Sequence, residues 1–175
     1  MSGVVLRIAT PADRALLESW GRNPHVRAAF GDDDPPDWET DLAETDPAIE
    51  RLIAEHSGRP LGFLEICDPA REATHYWGGI EDGLRAVDIW IGEERDLGRG
   101  LGGEMMRLAL ARCFGDAGVG AVVIDPVASN GRAIRFYERL GFAFQEYRIF
   151  ERMKCAIMRL DRNAWENGCS CRSST

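Results

Sequence analysis

The chain has 175 residues, 45% apolar and 29% charged, a size and balance that suit one domain with a buried core. Its net charge of −8 argues against a nucleic-acid binder, which needs a basic face, and is compatible with a cationic ligand. No apolar run approaches the ~18 residues of a membrane span, and Met1 to Arg7 lack a basic segment followed by an apolar one, so a cytoplasmic protein without a membrane partner is expected.

The first strand reads as Val4–Ile8. Thr10-Pro11-Ala12-Asp13 opens a helix, with Thr10 as cap, Pro11 at the first helical position and Asp13 in the first turn. Ala15, Leu16 and Trp20 supply its apolar stripe, and Asn23-Pro24 breaks it. A short helix follows near His25–Phe30, then a loop over 31–37, where like charges meet two prolines. Ile49–Ala54 and Leu61–Ile66 are strand-like runs around a turn at residues 56–60. A loop carries Tyr76 and Trp77, and Ala86–Gly92 is a strand of strong β-formers interrupted by Asp88. Leu101, Met105, Leu108 and Arg112 recur at helical spacing behind a glycine-rich turn. Ala121–Ile124 is a buried strand, and Ser129-Asn130 starts a helix that Gly141 stops. Phe142–Phe150 and Lys154–Leu160 read as a closing antiparallel pair. The expected architecture is α/β (α+β): one domain over residues 1–166, with a mixed, mostly antiparallel central sheet flanked by helices, and a frayed tail over 167–175. The five cysteines show no paired metal spacing, although Cys169 and Cys171 stand close together in that tail. No metal is expected.

The most informative stretch is Arg95-Asp96-Leu97-Gly98-Arg99-Gly100-Leu101-Gly102-Gly103. A helix that begins in glycines presents unpaired N–H groups and the positive end of its dipole, a cradle for phosphate or diphosphate. Arg95 and Arg99 add charge beside it. Two alternatives stay open at this point. Gly98-x-Gly100-x-x-Gly103 also satisfies the dinucleotide fingerprint, with Asp125 ending the next strand. The glycines could also serve only close helix packing. A nucleotide P-loop is excluded, because no Lys-Ser or Lys-Thr follows.

Arg95-x-x-Gly98-x-Gly100, between a strand and a helix, resembles the coenzyme A signature of the GCN5-related N-acetyltransferase (GNAT) superfamily. Ser129-Asn130 followed by Ala133 to Phe142 resembles its second signature. The chain looks most similar to the aminoglycoside 6′-N-acetyltransferases: Leu17 to Trp20 with His25-Val26, Gly58 to Phe63, Val87-Asp88 and Asp125-Pro126 all fit that subgroup. Two positions depart from it. Glu65 stands where a neutral amide is expected, and Ile89-Trp90 follows the acid where other residues are usual.

The resemblance implies acetyl-coenzyme A as co-substrate, a cationic small-molecule amine as acceptor, and a monomer or homodimer. A lysine or siderophore-precursor N-acyltransferase and a non-catalytic acyl-coenzyme A-binding module are the alternatives. Leu97, Gly98, Arg99, Gly100, Leu101 and Gly102, with Arg95, would hold the diphosphate. Backbone groups of Ile89 and Ile91 and the side chain of Asn130 would meet the pantetheine arm. Asp88 is the candidate to hold the ammonium and help remove its proton, directly or through water; its alternative is an outward-facing strand residue. Tyr137 is the candidate acid for the departing thiolate, and its alternative is a core aromatic. Glu65, Trp38, Tyr76, Trp77 and Asp125 are the expected acceptor-lining residues. No covalent enzyme intermediate is expected, since no cysteine or serine has a base at motif spacing.

Overall fold

A computed structural model describes residues 3–30 and 36–170. Strand β1 (Val4–Ile8) leads into a 3₁₀ turn at Pro11–Asp13, closed by the Asp13 carboxylate, which accepts from the Thr10 N–H at 2.8 Å and its hydroxyl at 3.1 Å. Helices α1 (Arg14–Gly21) and α2 (Pro24–Phe30) follow. The buried stripe of α1 is Leu17 and Trp20, and Ala15 faces solvent, a correction to the sequence pattern, which places Ala15 in the stripe. Of the expected loop, residues 31–35 lie outside those described. Asp37 instead caps a short helix, α3 (Trp38–Ala43), by accepting from the Glu39 and Thr40 N–H groups.

The hairpin of β2 (Ile49–His56) and β3 (Arg59–Cys67) turns on Ser57 and Gly58 alone, both at positive φ, as a two-residue turn matched to strand twist requires. Next come β4 (Leu84–Ile91), α4 (Leu101–Phe114), β5 (Ala121–Ile124), α5 (Gly131–Arg139), β6 (Ala143–Phe150) and β7 (Met153–Asp161). A last helix, α6 (Arg162–Ser170), takes in residues 167–170, which the sequence reads as tail. Its Trp165 stacks on Phe114 at 6.0 Å between ring centres, an anchor the tail composition does not announce. Residues 171–175, with Cys171, lie outside those described.

The strands form one sheet in the order β1-β2-β3-β4-β5-β7-β6. Among the described residues β4 with β5 is the one parallel pair. A dinucleotide fold needs successive parallel units, so that alternative falls. The parallel pairing is short. It runs from Leu84–Ala121 to Ala86–Val123, while β4 continues alone to Ile91. From Val87 onward β4 has no neighbour of the sheet on its β5 side, and the sheet opens there.

Helices α4 and α5 cover one face, over a core that includes Val87, Met105, Met106, Leu110, Val122, Tyr137 and Met158. Each fully buried aliphatic side chain there contributes about 1.5–3 kcal/mol. On the other face, α1 and α3 bury Leu17, Trp20 and Trp38 against Ile53 and Phe63. Beside them Trp77 and Phe150 close over Ala86 and Val123. No helix of the described residues is long and apolar enough to cross a membrane.

Candidate active site

The opening between β4 and β5 is the mouth of a cavity of about 430 Å³. Its lining joins both faces of the sheet: Glu65, Asp88 and Trp90 from one, Val87, Ile89, Ala133 and Tyr137 from the other. Strand parity explains the division. Val87 and Ile89 point to the α4 core, and Asp88 points oppositely.

Asp88 sits on the exposed floor of this cleft, directly opposite Glu65 on β3, which is itself opposite Arg51 on β2. Three charged side chains thus form one row across three strands. Arg51 Nε lies 2.9 Å from Glu65 Oε2, and Arg51 also reaches Asp41, donating to its carbonyl oxygen at 2.7 Å. Burial pushes the Glu65 carboxyl above its ordinary range, and the Arg51 charge pulls it part of the way back.

Tyr137 is 8% exposed on α5, edge-on to Phe136 and Phe142. It is both a core aromatic and a wall of the cleft. Burial, then the charges of Asp88 and Asp125, hold its phenol well above the usual range, so it stays protonated at neutral pH. Asn130 also serves twice. Its Oδ1 caps α5, accepting from the Ala133 N–H at 3.0 Å, while the residue lines the cavity.

The five expected acceptor-side residues all line the cavity, in different ways. Tyr76 donates to Asp125 Oδ2 at 2.7 Å and stacks on Phe150 at 4.4 Å, which fixes both partners. Trp77 and Trp38 are largely buried: Trp77 packs on Phe150, and Trp38 meets Phe63 edge-on at 5.0 Å. Glu65 is already paired with Arg51, which no local sequence signal foretells.

Backbone alternation decides what the open strand edge offers. Gly92 N–H donates to Leu61 O on β3, so Ile89, three residues earlier, turns its N–H and C=O toward the opening. Ile91 faces the same way, but its carbonyl accepts from His25 Nε2 at 2.9 Å and is thereby occupied. Asn23 holds the Gly92 carbonyl at 2.7 Å, and the Trp20 ring lies where a side chain at 92 would have to go. Helices α1 and α2 therefore clamp the end of β4, and neither Asn23 nor His25 carries a motif that predicts this.

The turn beyond β4 is built for an approaching group. Gly98 and Gly100 adopt φ of +73° and +81°, and a Cβ at either would meet nothing within 4 Å. Helix packing does not explain these two glycines; left-handed backbone and bare surface do. Gly102 differs, since a Cβ there would touch Ile91 and Phe136. Gly100 caps α4, so the N–H groups of Leu101 and Gly102 emerge with no intrahelical acceptor. Arg95 is exposed beside the turn. Arg99 is partly committed, donating to Asp96 at 2.9 Å.

Asp96, which the sequence does not single out, ties this turn down. It is fully buried and accepts two hydrogen bonds of 2.9 Å from Arg59 at the start of β3, besides the one from Arg99. The Arg59 hydrogen bonds hold the carboxyl below its usual range, against the opposing effect of burial. Such a depressed group stabilises the fold above its unfolded pKa of ~3.9 and loses that contribution as pH falls through the folded value. Asp96→Asn is therefore expected to cost about 1–2 kcal/mol in urea unfolding at pH 7, with a gap to wild type that narrows below pH ~4. A gap constant across pH would show that the charge plays no part.

Burial also pushes the Cys67 and Cys113 thiols up, Cys113 to about 12. Neither is a ready nucleophile.

A family profile described as "Acetyltransferase (GNAT) domain" matches residues 9–150. Aminoglycoside N(6′)-acetyltransferase type 1 of Klebsiella pneumoniae is 29% identical over 150 residues, 81% of this chain and 75% of that protein. Two solved structures of the aminoglycoside acetyltransferase AAC(6′)-Ib are also similar. The one with coenzyme A has a TM-score of 0.84 at 28% identity, covering 94% of this chain and 98% of the other. The one with coenzyme A and kanamycin has a TM-score of 0.83 at 27% identity, with the same coverage. The chain belongs to the GNAT acetyltransferase family.

Proposed function

We propose that the enzyme transfers the acetyl group of acetyl-coenzyme A to a primary amine of a cationic small molecule in the cytoplasm, with the 6′-amine of an aminoglycoside as the first acceptor. The observation that carries this reading is that Asp88 and Tyr137, from opposite faces of the sheet, line a single cleft along β4, the strand that leads into the glycine turn. Relatives named for aminoglycoside 6′-acetylation, one crystallised with kanamycin, support the choice of acceptor.

Acetyl-coenzyme A supplies an activated thioester carbonyl. The Leu101 and Gly102 N–H groups, with Arg95, hold the diphosphate. The Ile89 N–H, turned to the opening, donates to the thioester oxygen as it gains charge. Asp88 holds the acceptor ammonium and receives its proton, directly or through one water, which leaves a neutral amine to attack. As the C–N bond forms and the C–S bond breaks, the protonated Tyr137 hydroxyl gives its proton to the sulfur, and the second proton shed by the new amide nitrogen restores the tyrosine through solvent. Holding both substrates in line supplies much of the rate. Trp38, Trp77 and Tyr76 offer apolar and stacking surface to the acceptor, and Asp125 and Glu65 supply negative charge.

Thiol release with acetyl-coenzyme A is expected in the presence of kanamycin or tobramycin and absent without an acceptor. Release with lysine or hydroxylysine in place of the aminoglycosides would move the enzyme to the amino-acid acylating branch. Tight coenzyme A binding with no release across an amine panel would make it a binding module.

A further inference from the structure

Asp41, Glu65 and Asp88 give the acceptor side of the cavity three carboxylates from three elements, and Arg51 stands among them. The Arg51 side chain is 16% exposed and lines the same cavity. Its Nε is 2.9 Å from Glu65 Oε2, its Nη2 is 3.6 Å from Asp41 Oδ1, and its Nη1 donates to the Asp41 carbonyl at 2.7 Å. Strand register places Glu65 directly between Arg51 and Asp88. A guanidinium so held occupies the position that an ammonium of a bound polycation would take between Asp41 and Glu65, and it repels a second cation brought there.

We infer that Arg51 is a specificity-determining residue: an internal cation that closes the Asp41–Glu65 subsite to acceptor ammonium groups. The part of the acceptor wall between Asp41 and Glu65 then takes no charged amine, and the reacting one is held at Asp88. The wall near Arg51 selects molecules that present a hydroxyl or other uncharged group. This rests on the proposed acetyl transfer to cationic amines and adds a rule for choosing among them.

Removing the guanidinium reverses the preference. In Arg51→Met, Asp41 and Glu65 lose their internal partner and are free to hold a second ammonium. The Michaelis constant for kanamycin, with its several ammonium groups, is expected to fall about five- to tenfold at physiological ionic strength, with kcat little changed. The constant for 6-amino-6-deoxyglucose, which carries one amine, should stay within about twofold. The double variant Arg51→Met/Glu65→Gln should lose the gain, and Arg51→Lys should behave as wild type. Circular dichroism and thermal melting check that each variant folds; Arg51→Gln, closer in polarity, replaces the methionine variant if that one does not. An unchanged or higher Michaelis constant for kanamycin in a folded variant overturns the inference. An equal fall for both amines overturns it too, since Arg51 would then act only through the overall field of the cleft. Direct titration of kanamycin into wild type and Arg51→Met keeps the two hypotheses apart. Tighter kanamycin binding in the variant supports the role of Arg51 even if wild type turns over no aminoglycoside, an outcome that would sink the proposed reaction alone.

Discussion

With asparagine at position 88, turnover is expected to fall about 100- to 1000-fold while coenzyme A affinity changes less than about twofold. Asparagine keeps the size and one acceptor of the aspartate but can neither balance an ammonium nor take its proton. Val87 and Ile89, its neighbours in the strand, point into the opposite core, and Asp88 faces the cleft. Glutamate 65, the acid directly across the strand, is no substitute, being bound to Arg51. The residual activity of the variant should climb as pH approaches the acceptor amine's own pKa, where neutral amine is present without a base. Steady-state rates and a coenzyme A titration, run in parallel, decide the matter. Equal losses in both would mean that position 88 supports the fold or the coenzyme and not the amine.

The second large effect concerns the other substrate. Gly100→Glu is expected to weaken coenzyme A binding by at least about 100-fold, through a carboxylate at the mouth of the anion cradle and a helix N-terminus no longer open to phosphate. The substitution has two components, and they can be separated. Any L-residue at φ +81° is strained by about 1–2 kcal/mol, whatever space surrounds it. Asparagine bears that conformation best among non-glycine residues and adds no charge. Gly100→Asn should therefore retain most coenzyme binding, and Gly100→Glu should not. Equal weakening in the two variants would assign the effect to backbone shape and remove the diphosphate from this turn.

The parts of the molecule readable from sequence are those set by neighbours along the chain. Gly98 and Gly100 announced an open helix entrance, Asn130 a helix cap, and the alternation around Asp88 a strand with one acid among apolar residues; each depends on residues within a turn or two. Helix α3 escaped, because Asp37 looks like the end of an acidic loop until its carboxylate is seen capping Trp38–Ala43. The apolar stripe of α1 was read through Ala15, whereas packing against β2 and β3 buries Leu17, one helical turn before Trp20. Arg51 with Glu65 and Arg59 with Asp96 were beyond reach for a different reason. Each joins strands or turns that meet only in the folded sheet, and a charge's partner leaves no periodic mark.

The two walls of the cleft have unlike origins along the chain. The residues proposed to hold the coenzyme come from one continuous stretch, β4 to α5, which also carries Asp88 and Asp125, whereas the other residues proposed for the acceptor are gathered from α3, β3 and the 72–77 loop. Substitutions in those scattered pieces can therefore accumulate with little strain on the coenzyme stretch. Lineages sharing one acyl donor are free to drift apart in the amines they modify.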